Sequence, residues 1–440
     1  MGWNVAAQNT NTDLPGWITR PLSLTDCLNL AVQQNATILK AKSDLEASHG
    51  VVVQTRAVAL PQVQASGQYK STDPNAIENF GPFSVPHENW NAGVQIVQSI
   101  YEGGKLVAAV RAATATKEQA LAQYKTVIAD TLLATRVAYY DVLLAAQQIT
   151  VNEASVNLLQ KELEDQQRRY DAGTVPHFNV LRAEVAVANA RPALIRARNN
   201  YRIAKNNLCN LLGYNLPHEI WEDIPLNLTD TLDAAPYQVN LPDAFQQALA
   251  KRPELVVLRK TAELQRLNIV NAKAGYKPAI QAFAGYNWYN AQFTAPVELD
   301  HDIHGWNAGG QLSWDIFDGM LTHGKVVQAK ALYEKAKTDV DDKARQIELE
   351  VRTTYSDFVE AREVLESQQK VQEQADEVLR EAKARADAGT GTQLDVLDAE
   401  TSLTQARTTE IQALHDYAAA RARLERAIGA DVMQSENPKP

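Results

Sequence analysis

Sixteen residues at Arg169–Glu184, RYDAGTVPHFNVLRAE, return at Arg385–Glu400 as RADAGTGTQLDVLDAE, with nine positions identical. A repeat held at fixed offset means that one supersecondary unit is built twice and that the copies bury their apolar faces against neighbours. The register extends well beyond this segment. An offset of 217 residues lays Leu24–Tyr69 on Leu241–Tyr286 without a gap, matching Asp26 with Asp243, Ala31 with Ala248 and Pro61 with Pro278. An offset of 216 then lays Trp90–Gly93 on Trp306–Gly309, Tyr139 on Tyr355 and Gly213 on Gly429. The organisation expected is a lead-in at 1–21, a first repeat at 22–213, a linker at 214–240, a second repeat at 241–429 and a tail at 430–440.

Each copy opens with a helical pattern. Ser23 or Thr25 can cap it, and Leu24, Leu28, Ala31, Leu39, Leu45 and Val52 carry it to about Leu60, where Pro61 ends it. At Gln62 the period changes to two: Val63, Ala65, Gly67 and Tyr69 alternate with Gln62, Gln64, Ser66 and Gln68. The same alternation returns at Trp90–Ile96, Ile280–Trp288 and Trp306–Ile316. Four strands of about ten residues are therefore expected, the length a tilted strand needs to cross a bilayer. Tyr69, Trp90, Tyr286, Trp288, Trp306 and Trp314 would form a membrane aromatic band, with the polar face toward water. Lys70–Asn89 and Asn290–Gly305 read as long exposed loops.

Proline-free helical patterns follow at Lys105–Tyr170 and Lys325–Ala386, each about 90–100 Å long. The helices beside them in sequence, near 24–60 and 178–212, are about half that length, so two stacked end to end match one long helix. The chain would climb to the strands, cross them twice, descend, turn at a tip and climb halfway back, with the linker as a belt at mid-height. The fold class expected is mainly α with a small β part: long helical hairpins and four strands.

Composition narrows the function. A net charge of -10 without a Lys/Arg block excludes a nucleic-acid surface. Cys27 and Cys209 stand outside any metal spacing and suit helix interiors. The most apolar helical stretch, Thr126–Gln148, is broken by Asp130, Arg136 and Asp141, so no transmembrane helix is expected. Met1–Val5 lacks the basic and apolar regions of a signal peptide, which leaves a cytoplasmic chain or one without its leader.

Catalytic constellations are missing. Gly319–Lys325 approaches a phosphate-binding loop, but Val326 stands where a magnesium-reaching Ser or Thr is needed, and a strand-to-helix corner is expected instead. Asp300, His301, Asp302 and His304 have ligand side chains in a spacing too generic for a metal site. No nucleophile stands with a base at a recognisable spacing, so the chain is read as no enzyme, with no cofactor and no metal.

The order helix, two strands, long helix, tip, helix, with D-A-G-T and V-L-x-A-E at both tips, resembles the TolC family of outer-membrane efflux channels over about residues 22–430. The resemblance implies a homotrimer in the bacterial outer membrane. Its four strands per subunit would make a twelve-stranded transmembrane β-barrel, continued into the periplasm by a trimeric α-barrel. It also implies a passive exit duct in tripartite efflux or type I secretion, partnered by a periplasmic adaptor (membrane fusion) protein, an inner-membrane transporter and outer-membrane lipid. The tips, Gly173, Thr174, Val175 and Pro176 with Gly389, Thr390, Gly391 and Thr392, would dock the adaptor, Val175 being taken as surface-exposed.

The matching aspartates of the family line its periplasmic entrance, so Asp395 and Asp398 would form a ring of six carboxylates, with mutual repulsion raising part of its pKa values. The first copy carries Asn179 and Arg182 there, and Arg182 would partly neutralise the ring. The family's closing bonds join a Tyr and an Arg to a Thr-Asp pair. The matching residues here are Ala386, Gly391, Phe178 and Asn179, so those bonds cannot form, and closure by Phe178, by Arg182 with the aspartates, or only weakly is expected. The alternative is a soluble coiled-coil scaffold or periplasmic adaptor without a barrel, which explains the helices but not the strands.

Overall fold

A computed structural model describes residues 16–73, 75, 88–215, 223–232, 234–294 and 298–430, side chains excepted at 291–294 and 298–301. In the first half β1 (Pro21–Leu22), α1 (Leu24–Gln34), α2 (Ala36–Ala57), β2 (Gln62–Ser71), β3 (Glu88–Glu102), α3 (Lys105–Asp171) and α4 (His177–Leu211) follow one another. After β4 (Asn227–Leu228) come α5 (Leu241–Lys251), α6 (Pro253–Lys273), β5 (Ala279–Thr294), β6 (Glu298–Ser313), α7 (Leu321–Asp387) and α8 (Gln393–Ile428). Two compact units organise these elements, and each takes segments from both repeats: one is Met1–Lys42, Tyr124–Pro253 and Ala344–Pro440, the other Ser43–Gln123 and Glu254–Lys343. The N-terminal 15 residues and the tail from 431 lie outside the described residues, as do most of the 70–89 connection and part of the linker.

The single helix expected from 24 to 60 is two helices. Asn35 leaves the helical region with φ -62° and ψ 125°, and Arg252, its counterpart in the second copy, does the same with φ -65° and ψ 121°. The cause differs between copies. Asn35 caps α2, its Oδ1 accepting from the Thr37 and Ile38 amides at 2.8 and 3.3 Å, while its Nδ2 donates to the Leu211 carbonyl at 2.7 Å. Arg252 precedes Pro253, whose ring drives the preceding residue out of the α region. Gly213, at the end of α4, sits so close to this break that a Cβ there would lie 2.6 Å from the Gln34 carbonyl oxygen.

The unit holding the chain's ends and both tips is cored by Leu22, Leu28, Tyr139, Leu208, Leu212, Ile224 and Leu226, all nearly inaccessible to solvent. Each contributes about 1.5–3 kcal/mol of burial relative to exposure. Tyr139 donates its hydroxyl to Asp230 Oδ2 at 2.9 Å, and the same oxygen accepts from the Leu24 amide at 2.8 Å. That ties the linker to the start of α1, beside the parallel β1–β4 pair that joins Pro21 to Asn227. Cys27 and Cys209 are buried and unpaired, as expected, and burial pushes both thiols up to about 12.

The three charges that break the apolar run of α3 all find partners on α8. Arg136 pairs with Glu425 at 2.5 Å with both side chains buried, Asp130 pairs with Arg426 at 2.7 Å, and Asp141 meets His415 at 2.8 Å. These ion pairs fix which face of α3 packs on α8. His415 lies between two carboxylates, with Nε2 on Asp141 and Nδ1 3.0 Å from Asp416, and only an imidazolium can donate to both. Burial alone would lower its pKa, but the two hydrogen bonds outweigh it and the net shift is upward. A raised folded pKa gives stability that is full below the unfolded value of about 6.5 and is lost as pH rises through the folded one. Both aspartates are half exposed, so the effect is about 1 kcal/mol. The melting temperature of wild type should exceed that of His415→Gln at pH 5.5, with the gap closing by pH 8.5; a gap independent of pH contradicts this.

In the other unit β2, β3, β5 and β6 form one antiparallel sheet in that order. Three of these strands are longer than expected, at 15, 16 and 16 residues. The loop expected at 290–305 is mostly strand: β5 runs to Thr294, β6 starts at Glu298, and Asn290 pairs with Asp302. Alternation simply continues through polar residues, which a sheet accepts wherever both faces meet water. The corner at Gly319–Lys325 is no phosphate loop. Met320 takes φ 70°, Asp318 Oδ2 accepts from the Thr322 amide at 2.8 Å, and Gly324 and Lys325 lie inside α7.

Candidate functional site in the hairpin tips and the strand face

Both tips close in the same way, because the repeat carries its turn chemistry with it. Gly173 and Gly389 take φ 74° and 72°, a left-handed conformation that ends the long helices. The amide of Thr174 donates to the Arg169 carbonyl at 2.9 Å, and the amide of Thr390 donates to that of Arg385 at 3.0 Å. Restarting the chain differs. Pro176 precedes α4 without a side-chain cap, whereas Thr392 and Asp395 form a reciprocal capping box on α8. The tips are joined by Arg169, which reaches Asp387 at 3.1 Å and Asp165 at 2.7 Å, and by Gln393 Nε2 donating to the Asn179 carbonyl at 3.3 Å.

Asp395 and Asp398 are exposed side by side on α8, lining a groove of about 350 Å³ with Arg385 and Glu381. Within the single chain, the hydrogen bonds that Asp395 receives from the Thr392 amide and hydroxyl hold its carboxyl below the usual range. Within one chain, Asn179 and Arg182 line a different cavity, together with Val175, Gly391 and Thr392. Val175 is half-buried rather than exposed, while Phe178 stands 67% exposed. The sequence reading missed the Arg169–Asp387 bridge and the burial of Glu400 beside Lys383. No signal for the burial was present in the repeat, since Glu184 matches Glu400 in sequence and is exposed.

The sheet has two unlike faces. Its register aligns Val63, Ile96, Ala284 and Ala308 in one row, then Ala65, Val94, Tyr286 and Trp306, then Gly67, Ala92, Trp288 and His304. The opposite face carries Gln64, Gln95, Gly285 and Asn307, then Ser66, Gly93, Asn287 and Gly305. Trp306 is 81% exposed and Leu312 64%. Five of the six aromatic-band residues gather toward the loop end, with Trp90 and Trp288 packed edge to face at 5.9 Å. Trp314 stands at the opposite end, donating its indole N–H to the Tyr276 carbonyl at 3.2 Å. No described helix is long and apolar enough to cross a membrane, and no metal-type cluster occurs among the described residues. Asp300 and His301 have side chains outside the description.

A duplicated pair of helical hairpins that shares one four-stranded, two-faced sheet defines the α-hairpin and β-sheet fold of outer-membrane channels. Residues 27–214 and 244–430 match the family model described as outer membrane efflux protein. The chain belongs to that family. It is 23% identical over 406 residues to outer membrane protein TolC of Escherichia coli strain K12, covering 90% of this chain and 80% of that one. It is 27% identical over 290 residues to the alkaline protease secretion protein AprF of Pseudomonas aeruginosa, covering 65% and 59%. The Campylobacter jejuni CmeC outer membrane channel superposes with a TM-score of 0.79 at 16% identity, covering 94% and 88%.

Proposed function

We propose that this chain is one subunit of a trimeric outer-membrane channel, the passive exit duct of an efflux or type I secretion system. The observation that carries the reading is the sheet. Its outer strands β2 and β6 are unpaired within the chain, and open edges next to an exposed apolar face are an aggregation hazard unless further copies close them into a barrel. From the Trp90 row to the Leu312 row is about ten residues, or roughly 24 Å for strands tilted about 45°, which matches the apolar band of an outer-membrane wall. The Gln, Asn and Gly face then lines water. A soluble scaffold gives no reason for Trp306 and Leu312 to stand in solvent.

In this reading the two repeats, 22–213 and 241–429, are structural equivalents, and three copies supply twelve strands. Asp395 and Asp398 ring the periplasmic entrance, where Arg182 and Phe178 of neighbouring copies meet them. The tip loops dock a periplasmic adaptor that links the channel to an inner-membrane transporter. The likeness to both TolC and a protease secretion protein leaves the cargo class open between efflux and secretion.

The tips provide the test. Thr392→Asp keeps an N-cap residue, so paired with Val175→Asp it adds charge to both tips with little cost in helix stability, roughly 1 kcal/mol or less from the cap. Cells that depend on this chain for export should keep the trimer in the outer membrane but lose export with the double variant. Export at wild-type level would make the tips purely structural.

A further inference from the structure

One contact inside the chain has a duplicate whose two halves stand apart. The corner at 100–104, between β3 and α3, packs on the junction of α6 with β5: a Cβ on Gly103 would lie 2.8 Å from the Ala274 carbonyl oxygen, and one on Gly104 3.7 Å from Val270 Cγ1. Lys277 Nζ closes the contact by donating to the Gly103 carbonyl at 3.2 Å. The offset of 216 carries this corner, IYEGG, to 316–320, IFDGM, and the offset of 217 carries Val270, Ala274 and Lys277 to Val53, Ala57 and Leu60. Those two sites lie at opposite edges of the sheet, one after β6 and the other before β2.

The separated halves are apolar and open. Gly103 is buried, whereas a Cβ on Gly319 would meet nothing within 4 Å. Ile316 and Phe317 are 84% and 81% exposed, and Met320, Val53 and Leu60 are exposed too. Met320 also takes φ 70° where its counterpart Gly104 takes 101°, and among the described residues no other non-glycine has a positive φ. Glycine would make this turn without strain, so a methionine held there against its backbone preference points to a contact for its side chain that one chain does not supply. A second copy supplies it. The sheet is antiparallel throughout, so β6 ends where β2 begins, and pairing β6 with β2 of the next copy brings the 316–320 corner onto that copy's α2–β2 junction.

We propose that the β6–α7 corner of each copy packs on the α2–β2 junction of the next, Met320 against Val53 and Gly319 against Ala57, as Gly104 and Gly103 pack on Val270 and Ala274 within one chain. Leu60 stands where Lys277 ties the inner contact, so the outer one is an apolar latch. Covering Met320 and Leu60 in this way removes apolar surface from water and offsets the strained turn. The latch rests on the reading of the chain as one subunit of a closed barrel.

Oxidation by copper phenanthroline of the detergent-solubilised full chain carrying Val53→Cys and Met320→Cys is the test, because the inner pair, Gly104 and Val270, stands close enough for its equivalent to form a disulfide. Cys27 and Cys209 are buried and take no part. Denaturing gels without reductant should show covalent dimers and trimers. Val51→Cys with Met320→Cys, whose first site points about 200° away around α2, should not link. Trimers that are intact by light scattering yet do not link would overturn the latch, assign the corner to lipid and leave the barrel reading standing. Equal linking by the Val51 pair would overturn the latch as well, and a chain that stays monomeric would overturn both. Met320→Gly relieves the backbone, as Gly104 does in the first copy, and should nevertheless lower the temperature at which the trimer dissociates by several degrees. An unchanged or raised temperature would contradict the latch.

Discussion

Arginine in place of Leu312 or Ile96 is expected to cost about 2–4 kcal/mol per copy and to block insertion of the channel into the outer membrane. Both residues lie on the apolar face, in rows with Ile280 and with Val63 and Ala284. Their side chains are 64% and 45% exposed in the single chain, so the arginine would meet no clash and find no partner. A water-soluble sheet would tolerate the same change within about ±0.5 kcal/mol, the usual range for surface substitutions. Outer-membrane fractions of cells expressing each variant separate these outcomes. Asn307→Arg, on the opposite face, should insert normally.

Removing Arg136 should be the most damaging change in the helical part. Arg136→Met leaves Glu425, which is wholly buried, with only Arg421 at 2.9 Å, and breaking one partner of a buried pair costs about 3–5 kcal/mol. The retained Arg421 contact places the expected loss near the lower end, about 3 kcal/mol. Arg136→Met combined with Glu425→Leu should recover most of the melting temperature, because two apolar side chains replace the pair without an uncompensated charge. A double variant no more stable than the single one would show that the pair is held for packing alone.

The parts of this fold that were legible in the sequence are those set by periodicity and local turn chemistry. The 67-residue helices, the four strands and the glycines that stop the helices follow from patterns that need no knowledge of neighbours. What escaped depends on tertiary context. Asn35 breaks a helix because its amide reaches Leu211, 176 residues away. Residues 290–294 and 298–305 are strand because β5 and β6 keep pairing past the last apolar residue that alternation counts. Asp395 and Asp398 read from spacing as sharing one helix face, but spacing does not show that Asp395 closes the capping box with Thr392. Glu400 and Glu184 share a motif position, and only the packing of α8 decides that Glu400 is buried.

Planar-bilayer recording of the purified chain tests the central claim most directly. The account predicts a steady single-channel conductance that favours cations, with that preference reduced and block by trivalent cations lost in Asp395→Ala/Asp398→Ala. A chain that inserts no conducting pore, from a preparation that is folded by circular dichroism, would contradict it.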